Sequence, residues 1–66
     1  MHIFLNGEQR TIDAGATVAD LIVELKLADQ RLAVEVNEEL VPRSTFDDYH
    51  LKGGDHMEIV NAIGGG

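Results

Sequence analysis

The chain has 66 residues, enough for one domain, and a domain this short buries only about 60% of its unfolded surface. It carries no cysteine, which excludes a disulfide framework, a thiolate metal site and a thiol nucleophile. Twelve acidic residues against five basic ones give a formal charge of −7, a balance that repels nucleic acid and anionic membranes and favours a protein partner with a basic face.

The first stretch, "MHIFLNGEQRTI", places Ile3, Leu5 and Ile12 as the inward residues on either side of Asn6-Gly7. Asn-Gly supplies the positive φ angles of a type I′ turn, so the pattern predicts a tight β-hairpin. The early turn and the absence of a basic n-region argue against a signal peptide. No apolar run approaches the roughly 18 residues that span a membrane. With the lack of cysteine, this leads us to expect a cytoplasmic protein.

After a turn at Asp13 to Gly15 comes "TVADLIVELKL". Val18, Leu21, Ile22 and Leu25 fall at i, i+3, i+4 and i+7, the apolar face of a helix. Thr17 is placed to cap it, with Asp20 near the positive end of its dipole. "RLAVEVN" alternates, with Leu32, Val34 and Val36 on one face and Ala33, Glu35 and Asn37 on the other, which predicts a half-buried strand. "NEE" turns into a short strand at "LVP", stopped by Pro42 because proline lacks a ladder donor. "STFDDYHL" reads as one helical turn or a loop, with Ser44 or Thr45 as its cap, and "KGGD" as a turn. The last strand, "HMEIVNAI", turns Met57 and Ile59 inward. The expected order is β-β-α-β-β-(turn)-β, a two-layer α+β domain in which one helix covers one sheet. Its core is expected to comprise Leu5, Val18, Leu21, Ile22, Leu25, Leu32, Val34, Val36, Met57 and Ile59.

Catalytic constellations are missing from this pattern. His2, His50 and His56 lack ligand spacing, Ser44 is the single serine and has no base motif near it, and "KGGD" lacks the strand–loop–helix frame of a phosphate loop. Asp47 and Asp48 read as a solvated pair. The sequence therefore points away from an enzyme and toward its last residues, "VNAIGGG". Glycine offers no Cβ, so a glycine segment fits a narrow cleft and takes backbone angles closed to other residues. Four residues beyond the sheet, Ile63 to Gly66, reach at most roughly 13–14 Å. That suffices to carry a terminal carboxylate into another protein's active site. A carboxylate becomes an electrophile when activated as an acyl-adenylate, which a sulfur nucleophile then attacks.

"RLAVEVNEELVPRSTF", a turn, "GGDHMEIV" and the glycine run together resemble the ThiS/MoaD family of ubiquitin-like sulfur carriers, over essentially the whole chain. Val36, Asn37 and Leu40 to Arg43 carry most of the likeness, and its nearest branch is the thiamine-biosynthesis carriers, ThiS. The resemblance implies a β-grasp fold, with a mixed sheet of four to five strands on one main helix over residues 1–62 and a flexible tail at 63–66. It also implies that the chain is not itself an enzyme. A ThiF-like enzyme would adenylate Gly66 with ATP, a sulfur donor protein would supply the sulfur of a thiocarboxylate, and thiazole synthase would receive it. Gly65 matches the family's penultimate glycine, and Gly64 is a third glycine where the pattern requires two, either an added joint or a sign that Gly66 is trimmed. No cofactor or metal is expected on the chain. Phe4, Val60 and Ala62 alternate away from Leu5 and Ile59 and are the candidate docking residues. Two other classes use the same tail chemistry and stay open at this point: the small subunit of molybdopterin synthase, and a carrier or modifier serving tRNA thiolation, cysteine synthesis or lysine attachment.

Overall fold

A computed structural model of the chain describes residues 1–61. Five strands form one mixed sheet, with β1 at His2–Leu5, β2 at Glu8–Thr11, β3 at Leu32–Val36, β4 at Glu39–Val41 and β5 at His56–Asn61. One α-helix, α1 at Val18–Glu24, and a 3-10 turn at Arg43–Thr45 complete the elements. The sheet order is β2-β1-β5-β3-β4, so the last strand lies at the centre. It runs parallel to β1 and antiparallel to β3. The two hairpins β1–β2 and β3–β4 flank it. The expected element order and the two-layer α+β arrangement are both present.

Each hairpin turns where the sequence places its asparagine. Asn6 and Gly7 have φ of 50° and 85°, and Asn37 and Glu38 have φ of 52° and 70°. Asparagine and glycine accept this left-handed region at little cost. Glu38 has no such excuse, and the second hairpin holds it there by the pairing of Val36 with Glu39.

Helix α1 has seven residues, too short to be stable alone in water. Its ends are therefore heavily bonded. Thr17 and Asp20 form the capping box, with Asp20 N–H donating to Thr17 Oγ1 at 3.0 Å and Thr17 N–H donating to Asp20 Oδ2 at 3.0 Å. Two further free N–H groups of the first turn, on Val18 and Ala19, donate to the carbonyls of Tyr49 (2.9 Å) and Phe46 (3.0 Å). At the other end Leu27 N–H donates to Ile22 O and Lys26 N–H to Val23 O, the Schellman pattern. Lys26, at φ 61°, occupies the position where glycine is usual.

The buried core is Ile3, Ile12, Val18, Leu21, Ile22, Val34, Val36, Val41, Phe46, Leu51 and Met57. It differs from the sequence-based list at its edges. Leu5, Leu25, Leu32 and Ile59 pack against it but stay half-buried, because they sit at the end of the layer. Ile3, Ile12, Val41, Phe46 and Leu51 join it. Phe46 and Leu51 come from the segment between β4 and β5, which folds back across the start of α1 and closes the core there. The cap expected from Ser44 or Thr45 is absent. Pro42 precedes the 3-10 turn without a side-chain cap, and the Thr45 hydroxyl donates back to Pro42 O at 2.8 Å. A turn this short has few free N–H groups to cap, so the hydroxyl takes the nearest carbonyl.

Leu21 and Val34 face each other's layers with 2% and 0% exposure. Truncating either to alanine is expected to cost about 2–4 kcal/mol, a large share of a small domain's stability. Chemical denaturation of the two variants checks this, and an unchanged midpoint in both would contradict the packing described.

Candidate functional site

The sheet has two faces and one helix. Ile3, Val34, Val36 and Met57 fill the face under α1. The opposite face carries no covering element among the described residues. On that face, Phe4 of β1 lies in register with His56 of β5, and their rings stack at 4.6 Å between centroids. Phe4 is half-buried as a result. Val60, four residues further along β5, stands 60% exposed beside Ala33 of β3. Strand alternation thus puts Phe4 and Val60 on the face expected from the sequence. They do not touch in one patch, because four residues of strand span about 13 Å. Between them lie Glu58 and, directly across on β3, Glu35. Leu40, 67% exposed, sits opposite Glu35 on β4. The face reads from one end as aromatic stack, acidic pair, then exposed aliphatics. Ala62 and the tail residues Gly64, Gly65 and Gly66 lie outside the described residues, as does the proposed boundary at residue 62.

An open recess of about 530 Å³ adjoins the Phe4–His56 stack and is lined also by Gly7, Asn37, Glu38, Met57 and Glu58. Its floor is fixed by a network around the start of β5. Asn37 Oδ1 accepts from His56 N–H at 3.0 Å, and Asn37 Nδ2 donates to Asp55 Oδ1 at 3.1 Å. The other carboxylate oxygen of Asp55 accepts from Lys52 N–H at 2.8 Å, closing the Gly53-Gly54 turn. The three histidines serve local structure. His2 Nδ1 lies 3.1 Å from Thr11 Oγ1, His50 Nδ1 lies 3.0 Å from Gly15 O, and His56 stacks on Phe4. No cluster of metal-ligating side chains occurs among the described residues. No helix there is long and apolar enough to cross a membrane.

The "VPR" segment proves to be a brace. Val41 is buried, Pro42 starts the 3-10 turn, and the Arg43 guanidinium donates to Gln30 O at 2.9 Å while lying 5.8 Å from the Phe46 ring centroid. It joins the loop before β3 to the segment after β4. Sequence reasoning missed the work of Asn6 and Asn37, whose carboxamides bond the main chain of β5. The signal was present only as two asparagines at turn positions.

Compared with known families, residues 3–66 match the model of the ThiS family. The chain belongs to that family. The sulfur carrier protein ThiS of Escherichia coli K12 is 29% identical over 66 residues, the whole of both chains. A crystal structure of the thiamine biosynthesis protein ThiS from Geobacter metallireducens is 35% identical and superposes over the full length of both chains with a TM-score of 0.86. The β-grasp fold expected from the resemblance is therefore the fold of this chain. Proteins named thiazole synthase are similar too, with 42% identity over all 66 residues in Paramagnetospirillum magneticum. This chain spans about a fifth (20%) of the length of that relative, and the same share of one from Magnetococcus marinus.

Glu35 and Glu58 face each other as cross-strand neighbours, an arrangement that costs stability when both are charged. Glu58→Gln is expected to raise the melting temperature by about 1–4 °C at low salt. The gain should shrink at high salt, where exposed charges are screened. A variant that melts no higher than the parent at low salt would show that the pair exerts no such strain.

Proposed function

We propose that this protein is a sulfur carrier for thiamine biosynthesis, with the carboxyl group of Gly66 as the reacting group. Membership of the ThiS family over residues 3–66, a range that takes in the whole glycine run, carries this reading. In the proposed cycle a ThiF-like partner joins the Gly66 carboxylate to the α-phosphate of ATP and releases pyrophosphate. Sulfide (HS⁻) released by a donor protein then adds to the acyl carbon and expels AMP, which leaves with one of the original carboxylate oxygens. The product is a thiocarboxylate. ATP is thus a substrate of the partner rather than a cofactor of the chain. Gly64 and Gly65 keep the approach to Gly66 free of side chains.

Thiazole synthase is the proposed acceptor. A stretch similar to this entire chain occurs inside proteins of that name, which supports a carrier and a synthase acting together. The family alternatives, a molybdopterin synthase subunit or a protein modifier, would pass sulfur to another acceptor or attach to a lysine. The uncovered sheet face is the proposed docking surface, with Phe4 and Val60 as its apolar contacts; Ala62, the third candidate read from the sequence, lies outside the described residues. Glu35 and Glu58 would meet a basic patch on the partner and speed encounter. A cytoplasmic setting accords with ATP-dependent activation.

Incubation with the adenylating enzyme, ATP and a sulfur donor is expected to add the mass difference of one oxygen replaced by sulfur, located on Gly66 by fragmentation. A mass shift on a lysine, or thiolation of a variant extended beyond Gly66 as readily as the parent, would sink the reading. Phe4→Ala is expected to weaken binding to the adenylating enzyme about tenfold, equivalent to about 1.4 kcal/mol, while the protein stays folded. Equal affinity of parent and variant by calorimetry would remove Phe4 from the docking surface.

A further inference from the structure

Strand β1 pairs with β5 only through the register of Phe4 with His56 and Leu5 with Met57. Its main chain then turns away at Asn6, whose N–H makes a last ladder bond to Met57 O at 2.9 Å. On β5 the odd-numbered residues direct their main-chain groups toward β1. Ile59 is the next of these, and no β1 backbone reaches it. The Asn6 side chain takes that place. Its Oδ1 accepts from Ile59 N–H at 2.9 Å, and its Nδ2 lies 3.5 Å from Ile59 O.

We propose that Asn6 is a positioning residue for the C-terminal segment: its carboxamide acts as one extra rung of β1 and holds the end of β5 on the side that β3 does not cover. The inference rests on the reading that the residues following β5 are the reacting end.

A hairpin turn alone explains an asparagine at φ 50°. It does not explain two side-chain contacts to a strand 53 residues away in sequence. The position requires a residue that tolerates positive φ and presents an acceptor beside a donor at the reach of one carboxamide. Glycine meets only the first condition, aspartate lacks the donor, and glutamine is longer by a methylene. On its other side β5 stays paired with β3 to its last residue, in the register of Leu32 with Asn61. Without Asn6, the last turn of strand before the tail would therefore hang from β3 alone. A partner that must thread the tail into its active site would then bear the cost of ordering the strand end as well.

The test compares Asn6→Gly, which keeps the turn and deletes the rung, with Asn6→Asp, which keeps the short acceptor contact to Ile59 N–H. Ile12→Val, a core change just past the far end of β2, serves as a control for mild destabilisation. In amide exchange, Ile59 of Asn6→Gly is expected to exchange about 5–10 times faster than in the parent, with Asn6→Asp between them and Glu58 unchanged. In thiocarboxylate formation with the adenylating enzyme, the KM for Asn6→Gly should rise about 3–10-fold with kcat little altered, and Asn6→Asp should recover part of the loss. Unchanged Ile59 exchange in Asn6→Gly overturns the proposal, and so does an equal KM rise in Ile12→Val. A parent protein that gains no sulfur at all refutes the carrier reading instead, and exchange at Ile59 still decides whether Asn6 holds the strand.

Discussion

The structure depends on satisfying both edges of β5. A central strand must find partners for every main-chain group that water cannot reach, and β5 reaches the centre last in chain order. It slots between two hairpins formed from local sequence. β1 takes one side in parallel and β3 the other in antiparallel register. Neither neighbour is long enough to cover its side completely. Asn37 completes the pairing at the start of β5 and Asn6 completes it near the end, each by a carboxamide oxygen accepting a β5 N–H. The same residue type solves both problems because both gaps open where a hairpin turns. There the backbone has positive φ, and asparagine combines tolerance of that angle with a side chain shaped like a peptide group.

This explains which parts of the fold were legible from sequence. The Asn6-Gly7 hairpin, the capping box at Thr17 and Asp20, and the alternation of Leu32 to Val36 are local signals, and the structure contains each of them. What escaped was non-local. Phe46 and Leu51 sit in a polar stretch with no usable period, and they enter the core where the carbonyls of Phe46 and Tyr49 accept from the first turn of α1 and Leu51 N–H donates to Ala16 O. The helix end was invisible because Lys26 stands where glycine would have announced it. At the candidate site, alternation correctly assigned Phe4 and Val60 to one face. It could not show that an acidic pair separates them, because that follows from the register of β3 against β5.

The short helix and the open sheet face are two consequences of one limit. The described residues supply one α-helix, and a single seven-residue helix shields only one side of a five-stranded sheet. The other side must tolerate water, so it carries Glu35, Glu58, His56 and Gln9 alongside its few apolar groups. Like charge there opposes self-association of edge and face, a common device where a strand surface is exposed. Placing two glutamates directly opposite each other nevertheless exceeds what solubility requires, since interspersed signs would serve it at no cost in stability.

That excess fits the proposed role better than it fits a free-standing domain. A carrier has to meet at least two enzymes and then leave them, so its contacts should give fast encounter without deep burial. Exposed acidic groups on a flat sheet provide long-range attraction that salt can weaken, and the scattered apolar residues limit how tightly any one partner holds. The rigidity belongs instead to the strand that presents the tail. β5 is bonded from both sides as far as Ile59, so in the proposed role a partner that gripped the sheet face would also receive the base of the C-terminal segment in a set direction. In the proposed role, the sheet face would supply the address and the central strand the aim, while the chemistry would belong to the carboxyl group of Gly66.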